Sequence, residues 1–250
     1  MAGSMIPLPD LPLLHRRFLT ISRIAREKFD GHLAGRLLLR AHLDPEGLAE
    51  VLAAAIAGAA SLCVDADAGR LREALRSGLC DFVVGQMNES LRILKNEIRR
   101  GRAVSVGLGA DEVAVAAELL DRGVQPDLIA PSEGSLAAHI AVFVERGAVL
   151  LPRDSAPDPE RCLMSWRISC PPGRLMPQIA AAASAVLDES SADTPARRRW
   201  LEVAPRTLGR AFAGRQCLQV TEAEADILTA RLRAGFPAVV VEVDGRPAGL

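Results

Sequence analysis

The sequence has no tyrosine and, among 250 residues, only six phenylalanines and two tryptophans. Stacking platforms for single-stranded nucleic acid or sugars are therefore scarce, and the core must come from Leu, Val, Ala and Ile. Net charge is nearly absent too: 30 Lys and Arg against 31 Asp and Glu leave −1. A general nucleic-acid binder carries a clearly basic surface, so no nucleic-acid partner is expected. Long apolar runs are missing. The best, residues 52–63, falls short of the roughly 18–20 residues that span a bilayer, so no membrane partner is expected. The five cysteines (Cys63, Cys80, Cys162, Cys170 and Cys217) and four histidines show no zinc spacing, and the first residues lack a signal-peptide pattern. These absences predict a reduced, cytoplasmic protein with mostly buried thiols and no metal.

What is present is alternation. Consecutive apolar runs at Leu37–Ala41, Leu62–Asp65, Val104–Leu108, Asp127–Ala130 and Ala148–Leu151 read as parallel strands covered on both faces. Between them, Leu48, Val51, Leu52, Ala55 and Ile56 recur at helical spacing, as do Met87, Leu91, Leu94 and Ile98, and Leu136, Ile140 and Phe143. Gly101, Gly123 and Gly147 follow helical patterns, where a left-handed stop is favoured. The fold class is thus α/β: a doubly wound, Rossmann-like parallel sheet with a small C-terminal α/β appendage. A helix over Phe18–Phe29 precedes it, and its run of Arg16, Arg17, Arg23, Arg26 and Lys28 reads as a solvated face. Five prolines between Pro152 and Pro172 mark a linker or surface excursion, with a helix following at Met176–Leu187. A helix around Arg197–Ala204, a strand at Arg215–Val220, a capping box at Thr221 and Glu224, and a last strand at Pro237–Val243 complete the chain. The expected units are 16–151, a linker and helix at 152–195, and 196–250.

Doubly wound sheets bind ligands beyond the carboxyl ends of their strands. After the first strand comes His42-Leu43-Asp44-Pro45-Glu46-Gly47-Leu48, with one glycine and two carboxylates where a diphosphate would meet backbone amides. Asp44 and Glu46 would satisfy those amides themselves, so no dinucleotide cofactor is expected there. Asp65 lies where a ribose-binding carboxylate usually does, with Arg70 five residues on. The plainer reading is that Asp65 caps the next helix while Arg70 is solvated. Gly107 and Gly109 form a glycine-rich third turn that could border a cofactor or simply be tight. His42 stands at the mouth of the sheet, whereas His139 belongs to a helical stripe and packs at its edge. Cys217 shares a strand face with Arg215; the default is a buried thiol, the alternative a thiolate favoured by the guanidinium.

Several blocks together resemble the urocanases (urocanate hydratases). The nearest is Gly101-Arg-Ala-Val-Ser-Val-Gly-Leu108, followed by Glu118-Leu-Leu-Asp-Arg-Gly-Val-Gln-Pro-Asp-Leu-Ile129. Upstream, residues 33–62 align without a gap, placing Asp65 and Arg70 on the family's Glu and Arg; Trp200-Leu-Glu and Arg215-Gln-Cys217 resemble a later segment. The similarity spans about residues 20–147, and more weakly 198–243. It implies a Rossmann-like domain that in urocanases holds NAD as an electrophile toward the substrate's imidazole, with Cys217 and Arg215 near that site. This chain departs from the pattern at His42–Leu48, at Ala110-Asp111-Glu112 and at Ala130–Ser135, and the family's large N-terminal substrate domain is expected to be missing.

The expectation is a diverged, truncated member of hydratase/lyase type acting on a small heterocyclic or unsaturated acid. Cys217, Arg215 and His42 would be its catalytic residues, and Asp65, Arg70, Gly107 and Gly109 the remains of a cofactor site. The alternative is a non-catalytic ligand-binding or regulatory module that has lost NAD. Either would take a small-molecule ligand and pair with itself or with a partner subunit.

Overall fold

The computed structural model describes residues 8–131, 136–153, 158–168 and 175–248. A parallel sheet is built from β1 (Leu37–Ala41), β2 (Ala60–Val64), β3 (Phe82–Val84), β4 (Ser105–Leu108), β5 (Leu128–Ile129) and β6 (Val149–Leu150), in the order β3-β4-β2-β1-β5-β6. The chain moves outward from β1 through β2 and β4, then returns to add β5 on the other side of β1. That reversal makes β1 and β5 the topological switch point. Strand β3 escapes the sequence reading because it has three residues, with Phe82 exposed and only Val84 buried.

Alternation along β1 distributes its side chains to two cores. Leu38 faces α1 (Leu11–Lys28) and α2 (Pro45–Ala57), while Leu37, Leu39 and Ala41 join the core under α4 (Met87–Arg99), α5 (Glu112–Asp121) and α6 (Ala137–Glu145). Helix α3 (Ala68–Arg76) lies on the α1–α2 side through Leu71 and Ala74. Gly101, Gly123 and Gly147 all take positive φ just past their helices, as the stop pattern predicts.

The second sheet is antiparallel, in the order β10-β9-β7-β8, from β7 (Cys162–Ile168), β8 (Arg215–Val220), β9 (Val239–Val243) and β10 (Arg246–Pro247). Here the linker expected over 152–172 is corrected: β7, an inner strand, lies within it. Prolines flank β7 in the sequence and mask its period-two pattern, in which Met164, Trp166 and Ile168 are buried. Asp244 and Gly245 turn the β9–β10 hairpin with φ of 48° and 73°. Helices α7 (Leu175–Ser184), α8 (Thr194–Thr207) and α9 (Glu222–Gly235) accompany this sheet, and Thr221 with Glu224 forms the expected capping box.

One hydrophobic core runs from α1 and α2 into α8 and β8. Trp200 of α8 packs against Phe18 and His15 of α1, with ring centroids 5.3 and 4.6 Å apart. The Trp200 indole donates to the Cys217 carbonyl at 2.7 Å, and the Gln219 N–H donates to His15 Nε2 at 2.9 Å. Helix α1 therefore binds the C-terminal sheet to the parallel one. Burial, helped by the nearby cations of Arg197 and Arg16, drops the His15 pKa to about 3, so this imidazole is neutral.

Candidate functional site

The turn leaving β1 at the switch point is short and self-contained. His42 adopts φ 62°, a left-handed conformation that costs a non-glycine residue about 1–2 kcal/mol. Its N–H donates to the Val64 carbonyl at 2.7 Å, which fixes the turn against β2. The imidazole is half exposed, and its Nε2 stands 3.4 Å from a carboxylate oxygen of Glu112, in the first turn of α5. A strained residue presenting a histidine–carboxylate pair at a sheet mouth is equipped to pass protons.

Asp44 caps α2 by accepting the Gly47 N–H at 2.7 Å, and Arg40 of β1 reaches the same carboxylate at 3.1 Å. The approach is close: a Cβ on Gly47 would lie 2.2 Å from the His42 carbonyl oxygen and 2.6 Å from Arg40 Nε. Arg40 is held from three sides, donating also to the Pro131 carbonyl at 3.2 Å and lying 3.3 Å from Glu50. Glu50 is 1% exposed and also faces Arg17 of α1 at 3.7 Å. Burial raises the Glu50 pKa above the usual carboxylate value despite both arginines. Arg17 in turn donates to the carbonyls of Pro152, at 2.7 Å, and Arg153. The solvated face expected for the arginine run therefore fails at Arg17, which is buried because the turns after β6 and α2's Glu50 supply its partners.

This Arg17–Glu50–Arg40–Asp44 network was missed in the sequence. Its signal was legible in principle: Arg40 interrupts an apolar strand and Glu50 an apolar helix stripe, and buried opposite charges must find each other.

Asp65 follows β2 and is fully buried. It accepts hydrogen bonds from Leu43 N–H (2.8 Å), Asp67 N–H (2.7 Å), and Arg70 through Nε and Nη2 (both 2.8 Å). Burial opposes its ionisation, but these donors outweigh burial and hold its pKa below the ordinary value. Asp65 and Arg70 thus clasp the β1–α2 turn to the start of α3. Asp67 and Asp111 cap α3 and α5 as Asp44 caps α2, so three helix N-termini at this end of the sheet carry their own carboxylates. Gly107 lies inside β4, where a Cβ would meet Leu71 at 2.7 Å; Gly109 donates its N–H to the Val84 carbonyl. Both glycines serve the approach of α3 and β3 to β4.

Cys217 and Arg215 occupy β8, away from this turn. The Cys217 thiol is fully buried, 3.6 Å from the Leu11 carbonyl oxygen, and burial pushes its pKa far above the usual thiol value, outweighing Arg215. It is a protonated thiol. Arg215 instead borders a cavity of about 870 Å3 between α7, α8 and the 3-10 turn Gly209–Phe212. His139 is half-buried on α6. Cys63 and Cys80 are buried and Cys162 half-buried, while Cys170 lies outside the described residues. Among the described residues no group of three His, Cys, Asp or Glu could hold a metal ion, and no helix is long and apolar enough to cross a membrane.

A parallel sheet with a β1–β5 switch, helices on both faces and a turn chemistry centred on residues 40–50 defines a Rossmann-like α/β domain. The family model for the urocanase Rossmann-like domain matches residues 13–142, just over half of the chain, and the chain belongs to the urocanase family.

Proposed function

We propose that this urocanase-like protein acts on a small heterocyclic or unsaturated acid, as a hydratase/lyase-type enzyme, and does so without NAD. One observation carries this reading: at the turn after β1, Asp44 and Arg40 fill the place of a diphosphate while His42 is presented beside Glu112. A dinucleotide does not fit these residues. The Gly47 N–H that would hold a phosphate oxygen is spent on Asp44, and a second carboxylate lies at Glu46. Asp65, the position for a ribose contact, has its oxygens taken by four donors.

Adding water across a conjugated bond requires one proton to be delivered and another withdrawn. His42 and Glu112 are the pair for that transfer, with Glu112 orienting the ring and balancing its charge when protonated. The reaction differs from that of NAD-bearing urocanases, and urocanate itself is expected to be inert. We place the protein in a reducing cytoplasm, consistent with its buried thiols, and expect a homo-oligomer or a partner subunit.

Native mass spectrometry of the untreated protein tests the reading, because it reports retained ligand and subunit count together. The expected spectrum lacks NAD; NAD seated over residues 42–48 would overturn the reading. A panel of conjugated heterocyclic acids followed by loss of ultraviolet absorbance tests the chemistry, with His42→Asn expected to abolish any hydration seen. A second reading is a binding or regulatory module without catalysis, in which the buried, protonated Cys217 only packs. It prevails if the whole panel is inert.

A further inference from the structure

The 870 Å3 cavity lies beyond the residues matched to the family model, and nothing in the switch-point chemistry uses it. Its volume falls within the roughly 300–1,000 Å3 of small-molecule sites. Its walls are apolar: Met176 and Ala180 come from α7, Leu201 from α8, and Leu208 and Phe212 from the turn that follows. Ala180, Ala181 and Ser184 give α7 a face of small side chains, so the two helices leave space between them instead of closing on each other.

Charge distinguishes this cavity from an ordinary packing defect. Of the three arginines that border it, Arg198 is forked onto Glu189 and neutralised. Arg206, near the end of α8, and Arg215, at the start of β8, have no ion-pair partner among the described residues. Glu202 is the one carboxylate among the described lining residues. Two unpaired guanidiniums against one carboxylate leave a single positive charge in excess beside an apolar floor. The complementary occupant carries one negative charge on an apolar body, and a planar carboxylate matches the guanidinium fork.

We propose that the α7–α8 cavity is a binding site for a monocarboxylic acid with an apolar body, held by Arg206 and Arg215 at the carboxylate and by Leu201, Leu208 and Phe212 along the body. The proposal is independent of the dinucleotide-free reading. NAD found at residues 42–48 would sink that reading and leave this one untouched.

The test titrates the full chain with octanoate by calorimetry, with octylamine as the cationic probe of the same apolar body. One octanoate per chain is expected, with no octylamine binding over the same range. The double variant Arg206→Gln, Arg215→Gln should bind octanoate roughly ten-fold more weakly while melting at the temperature of the wild type. Ala181→Trp, placed on the exposed lip of α7, should fill the space and abolish binding. If octanoate fails to bind, if both probes bind alike, or if the double variant binds unchanged, the proposal is overturned. It is equally overturned if Ala181→Trp splits a dimer and octanoate has no effect, since a second copy then covers the groove.

Discussion

Substituting Asp44 by alanine probes the switch point most directly. The side chain does two things: it caps α2 through the Gly47 N–H and it accepts from Arg40. Loss of an aspartate N-cap costs about 0.5–2 kcal/mol. The Arg40 pair adds less than about 1 kcal/mol, because the Asp44 side chain is 53% exposed and screened by water. Together these give a destabilisation of about 1–2 kcal/mol. At about 2–4 °C per kcal/mol for a chain of this size, the melting temperature falls by about 2–8 °C. The variant also uncovers an α2 N-terminus with Arg40 beside it, the arrangement that binds phosphate elsewhere. Inorganic pyrophosphate should then stabilise the variant, by about 2.7 kcal/mol at a hundred times its dissociation constant, and leave the wild type unmoved. Thermal scanning on the fluorescence of the buried Trp166 and Trp200 reads both proteins, with matched sodium chloride as the ionic-strength control. Two results refute the reasoning: a wild-type shift as large as the variant's, or a destabilised variant indifferent to pyrophosphate.

Other perturbations address the buried charges. Glu50→Gln removes the anion shared by Arg17 and Arg40 and should cost about 3–5 kcal/mol in urea unfolding, whereas Arg26→Gln, at the exposed Arg26–Asp193 pair, should stay within about 1 kcal/mol. Equal effects would show that the buried network holds nothing together. His15 is neutral in the fold, with a pKa near 3 against 6.5 when unfolded, so the unfolded chain takes up its proton first as pH falls. Its contribution is complete above pH 6.5 and declines below it, by about 2 kcal/mol at pH 5. His15→Gln should start less stable at pH 8 and lack this slope between pH 6.5 and 5; parallel profiles for the two proteins would contradict it.

What the residues declare by themselves is local. Helical stripes, the Thr221–Glu224 box, glycine stops and apolar strand runs depend on neighbours a few positions apart, so the α/β alternation and the parallel sheet were readable, as were the two carboxylates at the first turn. Non-local facts needed the folded chain. The place of β7 inside the second sheet was hidden by flanking prolines, and the burial of Arg17 depended on carbonyls 135 and 136 residues away. The cavity between α7 and α8 exists because small side chains on one helix face another helix across a gap that no sequence spacing encodes. Cys217 shows the division most plainly. Period two put its thiol on the face of Arg215, but the ionisation state was decided by α1 closing over it, because removal from water raises a thiol's pKa more than a nearby guanidinium lowers it.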